Sequence, residues 1–182
     1  VTFIQNFPLG MTGLWLIQIG LVILLSAKAK NNPSLTIAGF IVYSLLMGLV
    51  LSITLSAYSS ADVAQAFVVA AGTFIGMSIF GVMTKRDLSG VGRAAIGLLW
   101  GVIIATVLNI FMGSAAVDYF LSYATVIIFI GLTAYDNQRI RGVYYGTLGQ
   151  DNTGFAAFMA LQLYLNFINL FLSILRIFGG KD

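Results

Sequence analysis

The stretch ALQLYLNFINLFLSILRIFG, residues Ala160–Gly179, decides the fold because its twenty residues carry a single charge, Arg176. A helix of about 20 apolar residues crosses a hydrocarbon core of roughly 30 Å. Four polar residues recur in it at helical spacing: Gln162, Asn166, Asn169 and Ser173. On a helix they share an arc of about 60°, and amides on such a stripe are costly against acyl chains. The stretch therefore predicts a spanning helix whose polar face meets protein or water, as an inner helix does.

The whole chain has the composition of a membrane protein. Of its 182 residues, 59% are hydrophobic and 8% are charged, and the mean hydropathy is +0.99. Soluble domains carry about 25% charged residues. The sequence contains no His, Cys or Glu, which excludes Ser-His and Cys-His nucleophiles, thiolate or imidazole metal sites and disulfides. The net charge of +3 comes from scattered basic residues, so no nucleic-acid partner is expected.

Six charge-poor runs are long enough to span a membrane, and we number them α1 to α6. The predicted spans are Leu9–Ala27, Ser34–Ser56, Asp62–Thr84, Ala94–Phe111, Asp118–Arg139 and Thr153–Phe178. Runs of this length favour helices over the alternating strands of a barrel. We therefore predict an all-α fold, a polytopic membrane helix bundle that forms one domain over residues 1–182, with α6 at its centre.

Basic residues mark one predicted side of the membrane. Seven of the nine lie between α1 and α2, between α3 and α4, or between α5 and α6: Lys28, Lys30, Lys85, Arg86, Arg93, Arg139 and Arg141. The positive-inside rule predicts residues 28–33, 85–93 and 139–152 to be cytoplasmic. Arg176 and Lys181 are exceptions, and two alternatives stay open: α6 does not fully cross, or it carries these charges to the far interface.

Asp136 is the acidic residue that lies well inside an apolar run. With three hydroxyl residues it forms a second polar stripe, on α5: Ser122, Thr125, Thr133 and Asp136. One interpretation is a carboxylate that lines an ion or proton path. The other is an interfacial carboxylate paired with Arg139 or Arg141, with Lys28 as a further candidate charge partner. Asp62 and Asp118 each begin a run, and we predict them to be N-caps.

Two pairs of glycines have the spacing of membrane helix contacts. Gly72 and Gly76 lie on α3, and Gly97 and Gly101 lie on α4. Small residues at this spacing let helix backbones approach closely in lipid. We predict that these four glycines pack helices together, with a gating hinge as the alternative.

Three stretches carry a resemblance to a known family: GLTAYDNQRIR (Gly131–Arg141), ALQLYLNFINLFLSILRIFG (Ala160–Gly179) and TKRDLSGVG (Thr84–Gly92). They resemble the Bax-inhibitor-type family, also called the transmembrane Bax inhibitor motif family, in its bacterial branch. The similarity extends from about Asn6 to the C-terminus. It implies a seven-helix fold around a central last helix, in the bacterial cytoplasmic (inner) membrane. Because members carry one more helix before α1, we expect this chain to lack the family's first helix.

The resemblance also implies a pH-sensitive calcium leak controlled by a pair of aspartates. The first matches Asp136, but the second falls on Asn166, where the usual LYLDFINLF reads LYLNFINLF. Two close carboxylates can share a proton, whereas an Asp–Asn pair can only hydrogen-bond. We therefore predict that any leak responds weakly to pH between about 6 and 8.

Calcium binding in such a path is expected to be weak. Calcium takes about 6–8 oxygen ligands. Asp136, Asn166, Asn169 and Gln162, with backbone carbonyls, could supply a partly hydrated site, and no other cofactor is expected.

Three other function classes compete with the leak. An intramembrane protease needs either a His or two embedded aspartates, so we expect no enzyme. The alternative is a regulator without transport, which acts in membrane-protein quality control beside a membrane-bound AAA protease or other membrane subunits. A proton-coupled carrier would be expected to show an inverted repeat, for which the two halves give only weak similarity.

Overall fold

The computed structural model describes residues 17, 18, 20–25, 27 and 32–179. In this part of the chain all regular secondary structure is α-helical. Five long helices run Pro33–Leu55 (α2), Ser60–Met83 (α3), Ser89–Met112 (α4), Ala115–Gly146 (α5) and Thr153–Gly179 (α6). By length and composition each can cross a membrane, which confirms the polytopic helical fold. Of α1, residues 17, 18, 20–25 and 27 are helical, and the rest of the predicted span lies outside the described residues.

Helix ends follow residues with known capping roles. Pro33 is the first residue of α2, where its missing N–H costs nothing. Gly113 ends α4 with φ of 61°, a left-handed conformation that glycine adopts without strain. Ser114 then caps α5 by accepting from Val117 N at 3.4 Å.

The predicted N-caps Asp62 and Asp118 are wrong. Helix α3 begins two residues earlier, at Ser60, and α5 is capped by Ser114. Both aspartates lie inside the first turn of their helix. There a carboxylate interacts favourably with the positive end of the helix dipole without acting as the cap.

Helix α5 is longer than predicted, because it runs over 32 residues rather than stopping at Arg139. Charged residues end an apolar run, but Arg and Lys are good helix formers and do not end a helix. Residues 139–146 of the predicted loop are therefore helical. For the same reason α4 begins at Ser89, ahead of Arg93, instead of at Ala94.

The chain forms two compact units, and the first comprises residues 1–59 and 149–161. It holds the described part of α1, all of α2 and the start of α6. Gln18 Nε2 of α1 lies 3.5 Å from Met47 Sδ of α2. Gly39 of α2 lies so close to Leu25 that an added Cβ would be 2.3 Å from its Cδ2.

The second unit comprises residues 60–148 and 162–182. Within it α3 and α4 both pack against α5. A Cβ added at Gly81 would lie 2.2 Å from the Ala134 carbonyl oxygen, and one at Gly92 would lie 2.7 Å from the Tyr135 ring. Single glycines at these positions therefore let both helices approach α5.

The four glycines predicted to pack helices do not make these contacts. At Gly72, Gly76, Gly97 and Gly101, an added Cβ meets no atom within 4 Å among the described residues. Gly81 is five residues from Gly76, which places it about 140° around the helix, and Gly92 stands in the same relation to Gly97. The spacing motif thus marks a face of each helix that is turned away from α5, and the contacts with α5 are made at Gly81 and Gly92.

Helix α6 is the most buried of the five spans, as predicted for an inner helix. Half of its most apolar stretch is buried, compared with 11% for α4. In the second unit its Phe167 and Phe171 rings meet Phe67 of α3 edge-on, at centroid distances of 5.8 and 6.0 Å. On its polar stripe, Asn166 and Ser173 are buried, and Gln162 and Asn169 are half-buried.

Candidate functional site

The two polar stripes meet at Asp136 of α5 and Asn166 of α6. Asn166 Nδ2 donates to Asp136 Oδ2 at 2.7 Å. Asp136 is 6% exposed and Asn166 is 2% exposed. The hydrogen bond predicted for this Asp–Asn pair is therefore present, and it joins two helices that are each long enough to span a membrane.

Other members of the stripes bond to their own helices. Ser122, Thr125 and Thr133 donate to the carbonyl four residues earlier, at 2.7–2.9 Å. Asn169 Nδ2 donates to the Leu165 carbonyl at 2.8 Å. These groups are satisfied without a partner on another helix, so Asp136 and Asn166 form the contact that links the stripes.

The basic residues predicted as charge partners take different places. Arg139 is exposed and follows Asp136 by three positions on α5. Arg141 Nη1 instead donates to the carbonyl of Val82 in the last turn of α3, where helix carbonyls lack a partner of their own. Lys28 lies outside the described residues.

The ligand set for calcium is sparse. Within the described ranges, no three His, Cys, Asp or Glu side chains come together. Asp136 brings one carboxylate and Asn166 one amide oxygen, while Gln162 is half-buried one turn earlier on α6. A single carboxylate with neutral oxygens fits a weakly held ion rather than a tight structural site.

Two residues that the sequence analysis did not single out hold α5 to its neighbours. Asn137 Nδ2 donates to Ser78 Oγ of α3 at 3.1 Å and to the Thr133 carbonyl at 2.8 Å. Gln138 Oε1 accepts from Leu88 N at 2.9 Å, and its Nε2 donates to the Arg86 carbonyl at 2.8 Å. The signal that could have found them is the pair of adjacent amides that follows Asp136 in GLTAYDNQRIR.

Gln138 fixes the α3–α4 loop, residues 84–88, onto α5, and Arg141 binds the last turn of α3 just before that loop. The side-chain amide of Gln138 pairs with the loop backbone as a peptide group of a neighbouring strand would. The site thus has two parts within about one turn of α5: Asp136, which pairs with Asn166 of α6, and Gln138, which anchors the loop.

Comparison with known sequences finds one matching family and several related bacterial proteins. The whole chain, residues 1–182, matches the family described as inhibitor of apoptosis-promoting Bax1. An uncharacterized membrane protein of Streptococcus pyogenes is 44% identical over 182 residues, which is 100% of this chain and 80% of that protein. The protein YrjE of Lactococcus lactis is 43% identical over 97% of this chain and 75% of its own length. The inner membrane protein YbhL of Escherichia coli is 42% identical over 94% of this chain and 75% of its own length.

Proposed function

The chain belongs to the family of inhibitors of apoptosis-promoting Bax1 and is an integral membrane protein, and we propose that it lets calcium leak across a bacterial inner membrane. The membrane is inferred from the relative in Escherichia coli, which is named an inner membrane protein. The predicted orientation, with the α3–α4 loop in the cytoplasm, belongs to the same proposal.

The observation that carries the proposal is the buried contact between Asp136 and Asn166. A carboxylate inside a spanning helix is costly unless it has a function or a partner. Here its Oδ2 is held by a neutral amide at 2.7 Å, so this partner contributes no positive charge of its own. A cation that passes between α5 and α6 would meet the carboxylate of Asp136 and the amide oxygen of Asn166.

The same pair supports a weak pH response. Two carboxylates in contact would titrate as a coupled pair. With Asn166 in the second position, no shared proton can form between the two side chains. Calcium is the cargo in this proposal, which includes no cofactor and no catalytic step.

Calcium flux into liposomes that contain the purified protein tests the proposal. Asp136→Asn is expected to lower the flux about ten-fold, the effect of roughly 1.4 kcal/mol on a barrier. Asp118→Asn is the matched control, because it removes an exposed carboxylate from the first turn of the same helix, and it should leave flux unchanged. Equal flux in the Asp136→Asn protein would contradict the proposal.

Measuring flux across pH tests the pair itself. The unchanged protein is expected to respond weakly between pH of about 6 and 8, and Asn166→Asp is expected to make the response steep. A steep response in the unchanged protein that Asn166→Asp does not alter would rule out the proposed role of Asn166.

A regulator without transport is the second candidate. It is favoured by the stripe hydroxyls and the Asn169 amide, because their hydrogen bonds to their own helices leave fewer groups to hydrate a path. Flux no higher than in empty liposomes, together with binding of a membrane-bound AAA protease or another membrane subunit, would favour this function.

A further inference from the structure

Basic side chains gather at the end of the second unit where the α3–α4 loop meets α5. Five exposed residues form this basic cluster: Lys85, Arg86, Arg93, Arg139 and Arg141. They are brought together because Gln138 holds the backbone of Arg86 and Leu88. The cluster is therefore built by the fold rather than by a run of adjacent charges.

The cluster keeps most of its positive charge. Asp87 is the acidic residue of the loop, and its Oδ1 accepts from the amide and the hydroxyl of Ser89 at 2.9 and 2.6 Å. Five basic side chains stand against this one acid of the loop, so the cluster carries a net positive charge. The N-terminus of α4, which begins at Ser89, adds about half a positive charge at the same place.

Helix length puts the basic cluster at the level of lipid headgroups. The 32 residues of α5 extend about 48 Å at 1.5 Å per residue, against a hydrocarbon core of roughly 30 Å. The helix is therefore longer than the core, and its last turns are expected to lie outside it because they carry Arg139 and Arg141, which are costly in hydrocarbon. Tyr144 and Tyr145, which follow the cluster on α5, are 62% and 65% exposed, as side chains in the interfacial belt are.

An open strip runs along α4 from the basic cluster toward the middle of the helix. Arg93 is the only charged residue in the sequence of α4, Ser89–Met112. On the same face, within an arc of about 100°, lie exposed residues that we call the α4 strip: Gly97, Trp100, Gly101 and Ile104.

The α4 strip is flat enough and long enough for one acyl chain to lie along it. At Gly97 and Gly101 no described atom lies within 4 Å of an added Cβ, so the helix surface is flat there. From Arg93 to Ile104 the rise is about 16 Å, close to the half-thickness of a core of roughly 30 Å. The strip therefore spans about one leaflet, with a cation at its interfacial end.

We propose that the basic cluster and the α4 strip together bind one anionic phospholipid, with phosphatidylglycerol as the test molecule. The phosphate is held by Arg86 and Arg93, and one acyl chain lies over Gly97 and beside Trp100. A soluble phosphate would use the cluster alone, and so would an acidic protein segment. Only a lipid uses both parts, and this assignment does not depend on calcium transport.

Quenching of Trp100 fluorescence by brominated lipid tests the site. The sequence has two tryptophans, Trp15 and Trp100, so Trp15→Phe leaves Trp100 as the reporter. In phosphatidylcholine bilayers, brominated phosphatidylglycerol is expected to quench Trp100 at a lower mole fraction than brominated phosphatidylcholine does. Because each basic residue near the surface contributes about 1 kcal/mol, Arg86→Gln with Arg93→Gln should reduce this preference about 25-fold.

Two further variants separate the parts of the site. Arg176→Gln removes an exposed charge from the last turn of α6 and should leave the preference unchanged. Gly97→Leu keeps every charge, enters open space and fills the strip, so it should lower quenching without lowering the thermal unfolding midpoint. Quenching that neither the double variant nor Gly97→Leu reduces would overturn the proposal.

Competition distinguishes the sources of negative charge. Glycerol phosphate or a polyglutamate peptide, added in water, is expected not to restore the fluorescence of Trp100. Full displacement of the lipid by glycerol phosphate would assign the basic cluster to free phosphate. Full displacement by the peptide would assign it to an acidic protein segment, and either result contradicts the lipid site.

Discussion

The start of α5, Ser114 to Asp118, is held by residues that lie near it in the chain, whereas its last turns are held by residues far away. At the start, Asn109 Nδ2 donates to the Ser114 carbonyl and to Asp118 Oδ1 at 3.0 and 2.7 Å. Ser114 and Asp118 lie five and nine positions after Asn109 in the chain. At the other end, the partners of Gln138 are 50 and 52 positions away. The long-range contacts begin as early as Tyr119, which donates to the Ile177 carbonyl at 2.9 Å.

The start of α5 is therefore stabilised by contacts within a short segment of the chain. Its last turns are stabilised by contacts that form only in the folded unit. The α4–α5 turn can form from its own residues, because a left-handed glycine, a serine cap and a buried asparagine complete its hydrogen bonds. The C-terminal part of α5 reaches its contacts only when α3, α4 and α6 are in place. Variants at the two ends should therefore differ in how far their effects spread.

Gly81→Ala is expected to have the largest effect. Its Cβ would lie 2.2 Å from the Ala134 carbonyl oxygen and 2.9 Å from the carbonyl carbon. Backbone atoms cannot rotate aside, so α3 must shift away from α5. We expect the free energy of unfolding in detergent to fall by about 3 kcal/mol, at the upper end for overpacking.

Gly76→Ala on the same helix is the control for this prediction. It places the same methyl group where no described atom lies within 4 Å. It should raise the free energy of unfolding by up to about 1 kcal/mol, because alanine is the better helix former and meets no neighbour. Similar losses in both variants would show that α3 and α5 are not in close contact at Gly81.

Gln138→Leu is expected to have the next largest effect. It removes the hydrogen bonds to Leu88 N and the Arg86 carbonyl, each of which contributes about 1 kcal/mol, so stability should fall by about 2 kcal/mol. Hydrogen exchange of the Leu88 amide should speed up, because its acceptor is gone.

Gln65→Leu, an exposed position on α3, controls for the change in composition and should leave Leu88 exchange unaltered. Gln138→Glu keeps the acceptor for Leu88 N but loses the donor to the Arg86 carbonyl. Its Leu88 exchange rate should therefore lie between those of Gln65→Leu and Gln138→Leu. An unaltered Leu88 amide in the Gln138→Leu protein would show that the α3–α4 loop is held by other contacts.

Asn109→Ala tests the start of α5 and should have a smaller, local effect. Its partners Ser114 and Asp118 are only partly buried or exposed, so water can replace part of what is lost. We expect a loss of about 1 kcal/mol and faster exchange of the Ser114 amide. Leu88 exchange should stay the same, and a change there would mean that the two ends of α5 are coupled.

The same contrast explains what the sequence could predict. Length and hydropathy gave five of the described spans, and helical spacing placed Asn166 on the inner face of α6. The first two inferences rest on properties of one helix. The hydrogen bond between Asp136 and Asn166 joins two helices, and it was expected because the family resemblance pairs these two positions.

Contacts between helices were the harder part. GxxxG spacing selected Gly72 and Gly97, but α5 instead meets Gly81 and Gly92, because a partner's position decides which glycine is used. The role of Gln138 likewise depends on where the loop folds back. Spacing along one helix contains no information about the direction of its neighbour.

The smallest effect is expected for two loop carboxylates, Asp87 and Asp151, which each accept the same kind of local hydrogen bond. Asp87 Oδ1 accepts from the amide and hydroxyl of Ser89, and Asp151 Oδ1 accepts from those of Thr153, at 2.6–3.0 Å. In each case the pKa of the carboxyl lies below its ordinary value of 3.8. The main cause is the hydrogen bond from the hydroxyl of the residue two positions later, and the second cause is the hydrogen bond from that residue's amide. A carboxyl whose folded pKa is lowered contributes stability above the ordinary value, and this is lost as pH falls through the folded pKa.

Carbon NMR of labelled aspartate carboxyls, followed as the pH falls below about 5, should therefore show both groups titrating below the ordinary range. Ser89→Ala should raise the pKa of Asp87 toward its ordinary value and leave that of Asp151 unchanged. If the contact is local, Gln138→Leu should shift neither pKa, although it releases the α3–α4 loop from α5. A rise in the pKa of Asp87 as large in Gln138→Leu as in Ser89→Ala would show that this contact, too, depends on the long-range anchor.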